Sequence, residues 1–183
     1  MRIALTVIVT AIMGVLLAAT RQEPKTCEVV LKLTDAQTGH ELAGLIHVTD
    51  ENGKPVPLAG LMSRGVGLSN QLPISRWSVL PKSVTLRLPR QKLTITAISG
   101  LETETAIVTV DLSDKTKTSI SIPLKRFYNA TATGYRSGNT PVPLQKISRA
   151  DSDRYLRKIP NADGLDVVFV SSLERSVAHN LYP

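Results

Sequence analysis

The sequence predicts a mainly β protein, an antiparallel β-sandwich followed by a short βαβ segment. Three observations carry that prediction. Between residues 27 and 126 apolar side chains recur at every second position in short runs, the period of a half-buried strand. Turn residues separate the runs, with Asn52-Gly53 the strongest hairpin signal. After residue 134 the pattern changes to near-helical spacing over 147–159 and then to a continuous apolar run over 165–170.

Residues 1–20 read as a signal peptide. Arg2 gives a positive end, residues 3–17 are apolar apart from Thr6, Thr10 and Gly14, and Leu17-Ala18-Ala19-Thr20 offers small residues for cleavage. The apolar core of about 15 residues is short for a span, which needs about 20. Cleavage near Thr20 or Arg21 is therefore expected rather than anchoring, leaving no stable membrane span. A lipoprotein is the weaker reading, because Pro24-Lys25-Thr26 leads into Cys27. The chain is expected to be exported, to the periplasm or the extracellular space.

The sandwich module is expected over residues 27–126. Val29, Leu31 and Leu33 form one face of the first strand, and Asp35-Ala36-Gln37-Thr38-Gly39 a turn. Residues 45–49 form a second strand, closed by a tight turn at Asp50-Glu51-Asn52-Gly53-Lys54. Residues 55–81 hold several glycines and prolines and little periodicity, which predicts a long irregular connection with one short strand near Trp77. Val84, Leu86 and Leu88 then alternate with polar residues, as do Leu93, Ile95 and Ala97, and the Pro89-Arg90-Gln91 link between them is as short as a hairpin. Ala106, Val108, Val110 and Leu112 form the next inward face, and Ile120, Ile122 and Leu124 the last.

Composition narrows the function. With 42% hydrophobic residues the 183-residue chain can bury a core, and with few aromatics that core must be Val, Ile and Leu. Cys27 is the only cysteine, so neither an intramolecular disulfide nor a multi-cysteine zinc site can form. The formal charge is +7, and without Arg2 there would be 21 basic against 15 acidic residues. The basic residues are scattered without interleaved aromatics, so nucleic acid is not an expected partner. They suit a solvated strand face.

Val30-Leu31-Lys32-Leu33-Thr34-Asp35-Ala36-Gln37-Thr38-Gly39 and Val48-Thr49-Asp50-Glu51-Asn52-Gly53-Lys54-Pro55-Val56 resemble transthyretin-like or carboxypeptidase-regulatory-like modules. That resemblance implies a spacer or binding platform and no catalysis.

The C-terminal part reads differently. Ser148 is a good N-cap, and Asp151 suits the positive end of a helix dipole. Ile147, Ala150, Tyr155, Leu156 and Ile159 give the helix its apolar face over 148–158, and Pro160 is expected to end it. The β-branched run after Asn161-Ala162-Asp163-Gly164 predicts a strand over 165–171 buried on both faces. With a strand over 139–144 these elements make one βαβ unit.

Gly134-Tyr135-Arg136-Ser137-Gly138-Asn139-Thr140, and Ala162-Asp163-Gly164-Leu165-Asp166-Val167-Val168-Phe169-Val170-Ser171, resemble the first part of exported CehA/McbA-type metallohydrolases of the polymerase-and-histidinol-phosphatase (PHP) superfamily. The resemblance covers roughly residues 126–178. It implies an α/β barrel whose first strand carries His-x-His, both imidazoles holding a divalent metal that activates water. Here the matching positions are Pro141 and Pro143. Residues 135–183 are thus expected to be a truncated βαβ remnant of such a barrel, mobile or packed loosely on the sandwich.

No catalytic, cofactor-binding or metal residue is assigned. His40, His47 and His179 fall in a turn, a strand and the tail, and read as ordinary surface or satisfied imidazoles. No Gly-x-Ser-x-Gly or phosphate-binding loop occurs. Asp163, Asp166 and Glu174 are near enough in sequence to cluster, a spacing common on solvated loops. The expectation is a non-enzymatic exported binding or scaffolding protein, with no cofactor and a cell-envelope protein as partner. The alternative is one piece of a split PHP-type hydrolase completed by a complementary hydrolase chain.

Overall fold

The first alternating run becomes β1 (Thr26–Asp35), in which Cys27, Val29, Leu31 and Leu33 are fully buried and the residues between them are not. The structure, a computed structural model, describes residues 25–139, 142–143 and 147–171; the expected signal peptide, Pro141, Glu174 and His179 lie outside the described residues.

One sheet is built on β1. Along one edge it pairs antiparallel with β2 (Glu41–Leu42) and then with β6 (Val84–Pro89); along the other it pairs with β9 (Lys117–Leu124). The second sheet runs in the order β4 (Met62–Ser63), β5 (Ser78–Leu80), β3 (Gly44–Asp50), β7 (Lys92–Ile98), β8 (Ala106–Asp111). The two sheets face each other across one core. Val29, Leu31, Leu33, Leu86 and Leu88 on the first meet Ile46, Val48, Leu93, Ile95 and Ala97 on the second. Each large aliphatic side chain so buried contributes about 1.5–3 kcal/mol.

Two features of the sandwich differ from expectation. The sheet on β1 is mixed, because β9 runs parallel to β1 from Glu28↔Lys117 to Asp35↔Leu124. Side-chain alternation is the same in both strand directions, so the sequence pattern is blind to this. The 89–91 link is short but is not a hairpin: β6 pairs with β1 and β7 with β3, so the chain crosses between the sheets there. The link's polar groups are taken up on both sides. Arg90 N–H donates to the Lys25 carbonyl at 3.0 Å, and the Gln91 carbonyl accepts from Leu112 N–H at 3.1 Å.

The turns form as their residues dictate. Asp50 Oδ1 accepts from Asn52 N–H and Lys54 N–H, both at 2.9 Å, with Gly53 at φ 76°. Residues 55–81 are irregular but hold both β4 and β5, the latter directly after Trp77.

Helix α1 (Arg149–Ala162) starts as expected: the Ser148 hydroxyl accepts from Asp151 N–H at 3.1 Å. It does not stop before Pro160. Proline removes only one N–H, and in the last turn the bonds from Asp163 N–H to Ile159 O and from Leu165 N–H to Pro160 O, both 2.9 Å, hold the chain in place. Nor is this helix loosely placed. Ile159 and Ala162 are buried against Met62 and Val79, with Leu45, Val66 and Tyr155 around them, on the face of the second sheet turned away from the core.

The βαβ order is present in reduced form. β10 (Val142–Pro143) pairs parallel with β11 (Val170–Ser171), and Gly138 bridges Val167 in the same sense. The expected doubly buried strand over 165–171 is not found. Val167, Phe169 and Val170 are 43%, 60% and 44% exposed. The reason is the helix: α1 turns its apolar face to the second sheet and leaves β11 uncovered. Among the described residues nothing extends this pair toward a barrel.

Candidate binding cleft

Where the sandwich meets the C-terminal segment lies a polar cleft of about 290 Å³. Glu41, Lys82, Glu102 and Arg126 line it from the sandwich side, and Ser137 and Asp166 from the other.

Most of its charges already have partners. Arg126 donates through Nη1 to Glu102 Oε2 at 2.6 Å, and its Nε lies 3.5 Å from Asp35 Oδ2. Asp35 is 8% exposed, and its carboxylate is held below its ordinary pKa by the N–H of Thr38, then by that of Gln37, with a smaller part from Arg126. Glu102 also accepts from Ala130 N–H at 3.2 Å, which fixes the start of the C-terminal segment. On the rim, Glu41 accepts from Ser83 N–H.

Residues 137–139 and 164–169 meet at the far wall and bind each other. Ser137 N–H donates to Asp166 Oδ2 at 2.9 Å, and the Ser137 hydroxyl donates to the Gly164 carbonyl at 2.6 Å. The Ser137 carbonyl accepts from the N–H groups of Asp166 and Val167, each at 3.0 Å. Asn139 Oδ1 accepts from Phe169 N–H at 3.1 Å. The Ser137 N–H, followed by its hydroxyl, holds the Asp166 carboxyl below its ordinary pKa. Ser137 and Asn139 thus act as a clasp on residues 164–169.

Asp163 is engaged elsewhere. It receives Arg64 in a two-point ion pair, Nη2 to Oδ2 at 2.8 Å and Nε to Oδ1 at 3.0 Å, with both side chains about four-fifths covered. The Arg64 guanidinium also stands 5.8 Å from the centre of the Tyr155 ring. Asp163 and Asp166 therefore do not form a carboxylate pair. The long-range partners Arg64 and Asp163, 99 positions apart, and Arg126 and Glu102, 24 apart, carry no local sequence signal. Both escaped the sequence reading for that reason.

Neither histidine among the described residues lines the cleft. His40 lies in the turn after β1, and His47 packs on Trp77 with ring centres 5.8 Å apart. Burial, and then Arg76, keep the His47 imidazole below its ordinary pKa. Cys27 is fully buried in the core.

No family model matches the chain, and no curated protein matches it. The resemblance of residues 126–178 to metallohydrolases is therefore without support from either comparison. Two solved structures align with part of the chain. The major pilin subunit of Bacillus cereus aligns with 14% identity and a TM-score of 0.36, over 56% of this chain and 31% of that one. A minor pilin of the gram-positive pathogen Streptococcus agalactiae aligns with 17% identity and a TM-score of 0.38, over 57% of this chain and 46% of that one. The chain thus spans less than half the length of either pilin, and at these scores the likenesses carry no argument about its role.

The metal site that the hydrolase resemblance implies does not fit the residues present. A proline nitrogen is an amide nitrogen with no lone pair to give, so Pro141 and Pro143 cannot replace two imidazoles. Among the described residues no three His, Cys, Asp or Glu side chains gather in a group that could hold a metal. The cleft can offer hydrogen-bonding groups and one ammonium, that of Lys82, to a small polar ligand. The Ser137 hydroxyl is committed to Gly164, and among the described residues no imidazole stands beside it to activate it.

Proposed function

We propose that this chain is an exported β-sandwich protein with a binding or scaffolding role and no catalytic activity of its own. In this reading residues 1–20 direct export, residues 27–126 are the folding unit, and residues 135–183 are a degenerate metallohydrolase-like segment fastened to it. The observation that carries it is the mutual use of the hydrolase-like stretches: Ser137, Asn139 and Asp166 satisfy backbone groups rather than facing a reacting centre. The strand–helix–strand order with parallel pairing of β10 and β11 supports the remnant reading.

The experiment is metal loading of the exported chain with zinc or manganese, followed by elemental analysis and assays of phosphodiester and carbamate-ester hydrolysis. Neither the natural chain nor the double variant Pro141→His, Pro143→His is expected to retain metal, since two imidazoles fall short of the usual three protein ligands. About one firmly held metal per natural chain together with hydrolysis would overturn the proposal. Mass spectrometry of the exported protein tests the leader, with a start near Thr20 or Arg21 expected.

The second reading, one piece of a split hydrolase, is favoured by the exposure of Val167, Phe169 and Val170 beside a two-stranded parallel pair. Further strands from a complementary chain would cover them.

A further inference from the structure

The second sheet ends in β8, whose outer edge pairs with no described residue. Edge strands invite pairing with another chain unless they are short, charged or broken by proline. The other edges of this sandwich are blunted in those ways. β2 and β4 have two residues each, β6 carries Arg87 and ends at Pro89, and β9 carries Lys117 and Pro123.

β8 carries no proline and no basic residue, and its one charge, Asp111, stands at its last position. Its sequence is Ala-Ile-Val-Thr-Val-Asp, and its register with β7 runs without a bulge from Lys92↔Asp111 to Ala97↔Ala106. Ile107 is 69% exposed on the outer row. On the inner row Ala106, Val108 and Val110 pack only in part against the core, so the hydrophobic interior is left open along this edge.

We propose that β8 pairs antiparallel with β8 of a second copy of this chain, joining the two second sheets into one. Self-pairing keeps inner row against inner row, because antiparallel partners lie on the same face. A two-fold axis at Val108 sets Val108 opposite Val108 of the copy, Ala106 opposite Val110, Ile107 opposite Thr109 and Thr105 opposite Asp111, so that Asp111, the one charge of the strand, meets an uncharged residue. An axis at Thr109 would instead set Ile107 against Asp111, an exposed apolar side chain against a charge. The first register is therefore the one selected. It completes the burial of Val108 and Val110, and as a closed two-fold contact it does not propagate into fibres.

Sedimentation equilibrium of the exported chain over a range of concentrations tests this, and a monomer–dimer equilibrium is the expected result. The variant Ile107→Lys, Thr109→Lys sets lysine opposite lysine at both ends of the contact and should weaken the dimer by about tenfold or more. Its circular dichroism should match the natural chain, since both positions are exposed. Val108→Cys would meet its own copy at about 4.5–5.5 Å between Cα atoms, within disulfide reach, and should yield a covalent dimer on oxidation; Cys27 is buried and does not compete. A chain that stays monomeric at every concentration, or a dimer indifferent to the two lysines, would overturn the proposal.

Discussion

Gly100 and Gly164 meet backbone to backbone, such that a Cβ added to either would stand 3.0 Å from the Cα of the other. Both have positive φ, 62° and 70°, and Gly100 N–H donates to the Ala162 carbonyl at 3.2 Å. The turn after β7 and the end of α1 are thereby seated on each other. Gly164→Ala meets both obstacles, the left-handed backbone and the contact with Gly100. It should destabilise the protein by about 1–3 kcal/mol, read from urea unfolding. Gly53→Ala is the control: it shares a positive φ of 76° but has open space around it, and should cost less.

Docking of α1 rests on an apolar contact and an ion pair that can be separated experimentally. Ile159→Ala removes a fully buried side chain and should cost about 2–4 kcal/mol. Asp163→Ala leaves Arg64 partly covered and unpaired, and should cost about 1–2 kcal/mol. The double variant Arg64→Ala, Asp163→Ala should lose less than the sum of the two single changes. Fluorescence of Trp77, the only tryptophan, reports on this region because its carbonyl accepts from Arg64 N–H at 2.8 Å.

The sandwich was legible in the sequence because its residues obey one rule. The inward residues of β1, β6, β7, β8 and β9 fall on the predicted period, and the Asp50 turn forms where Asn52-Gly53 stands, whereas Leu80 joins the core from a stretch that shows no periodicity. What the sequence could not convey was relation between elements. The parallel pairing of β1 with β9 and the crossing at 89–91 are questions of direction and partner, to which alternation is silent. The apolar run over 165–170 was misread as buried because burial depends on where α1 turns, and that is set by Met62, Val79 and Arg64 far away in the chain. Of the cleft, Ser137 and Asp166 lay in stretches already singled out. Glu102 and Arg126 had no signal beyond being charged.

Stability should fall on mild acidification through His47. Its folded pKa lies below the ordinary value because of burial, followed by Arg76. The unfolded chain therefore takes up a proton near pH 6.5 that the folded chain resists, so stability is full above that pH and declines as pH falls through it. His47→Gln should flatten this part of the profile. Asp35 acts in a separate window. Its folded pKa is lowered, first by Thr38 N–H, so its contribution is present above about pH 3.9 and is lost as pH falls further. Unfolding midpoints measured across the acid range in the two backgrounds check both.

Residues 27–126 are expected to fold without the rest. Their inward residues share one core to which α1 contributes nothing. A chain ending at Arg126 should give a β-type circular dichroism spectrum and a single cooperative unfolding transition. It should be less stable than the full chain, because Glu102 and the outer face of the second sheet lose their cover. A random-coil spectrum would refute this.

The central claim is that Ser137 and Asn139 serve as a clasp that fastens the C-terminal segment. Amide hydrogen exchange at Asp166, Val167 and Phe169 tests it most directly, since these N–H groups donate to the Ser137 carbonyl and to Asn139 Oδ1. The account predicts protected amides at all three in the natural chain. In Asp166→Ala, which frees Ser137 N–H, exchange at these positions should quicken while the amides of β1 keep their protection. Exchange of the three at the rate of an unstructured chain in the natural protein would contradict the account.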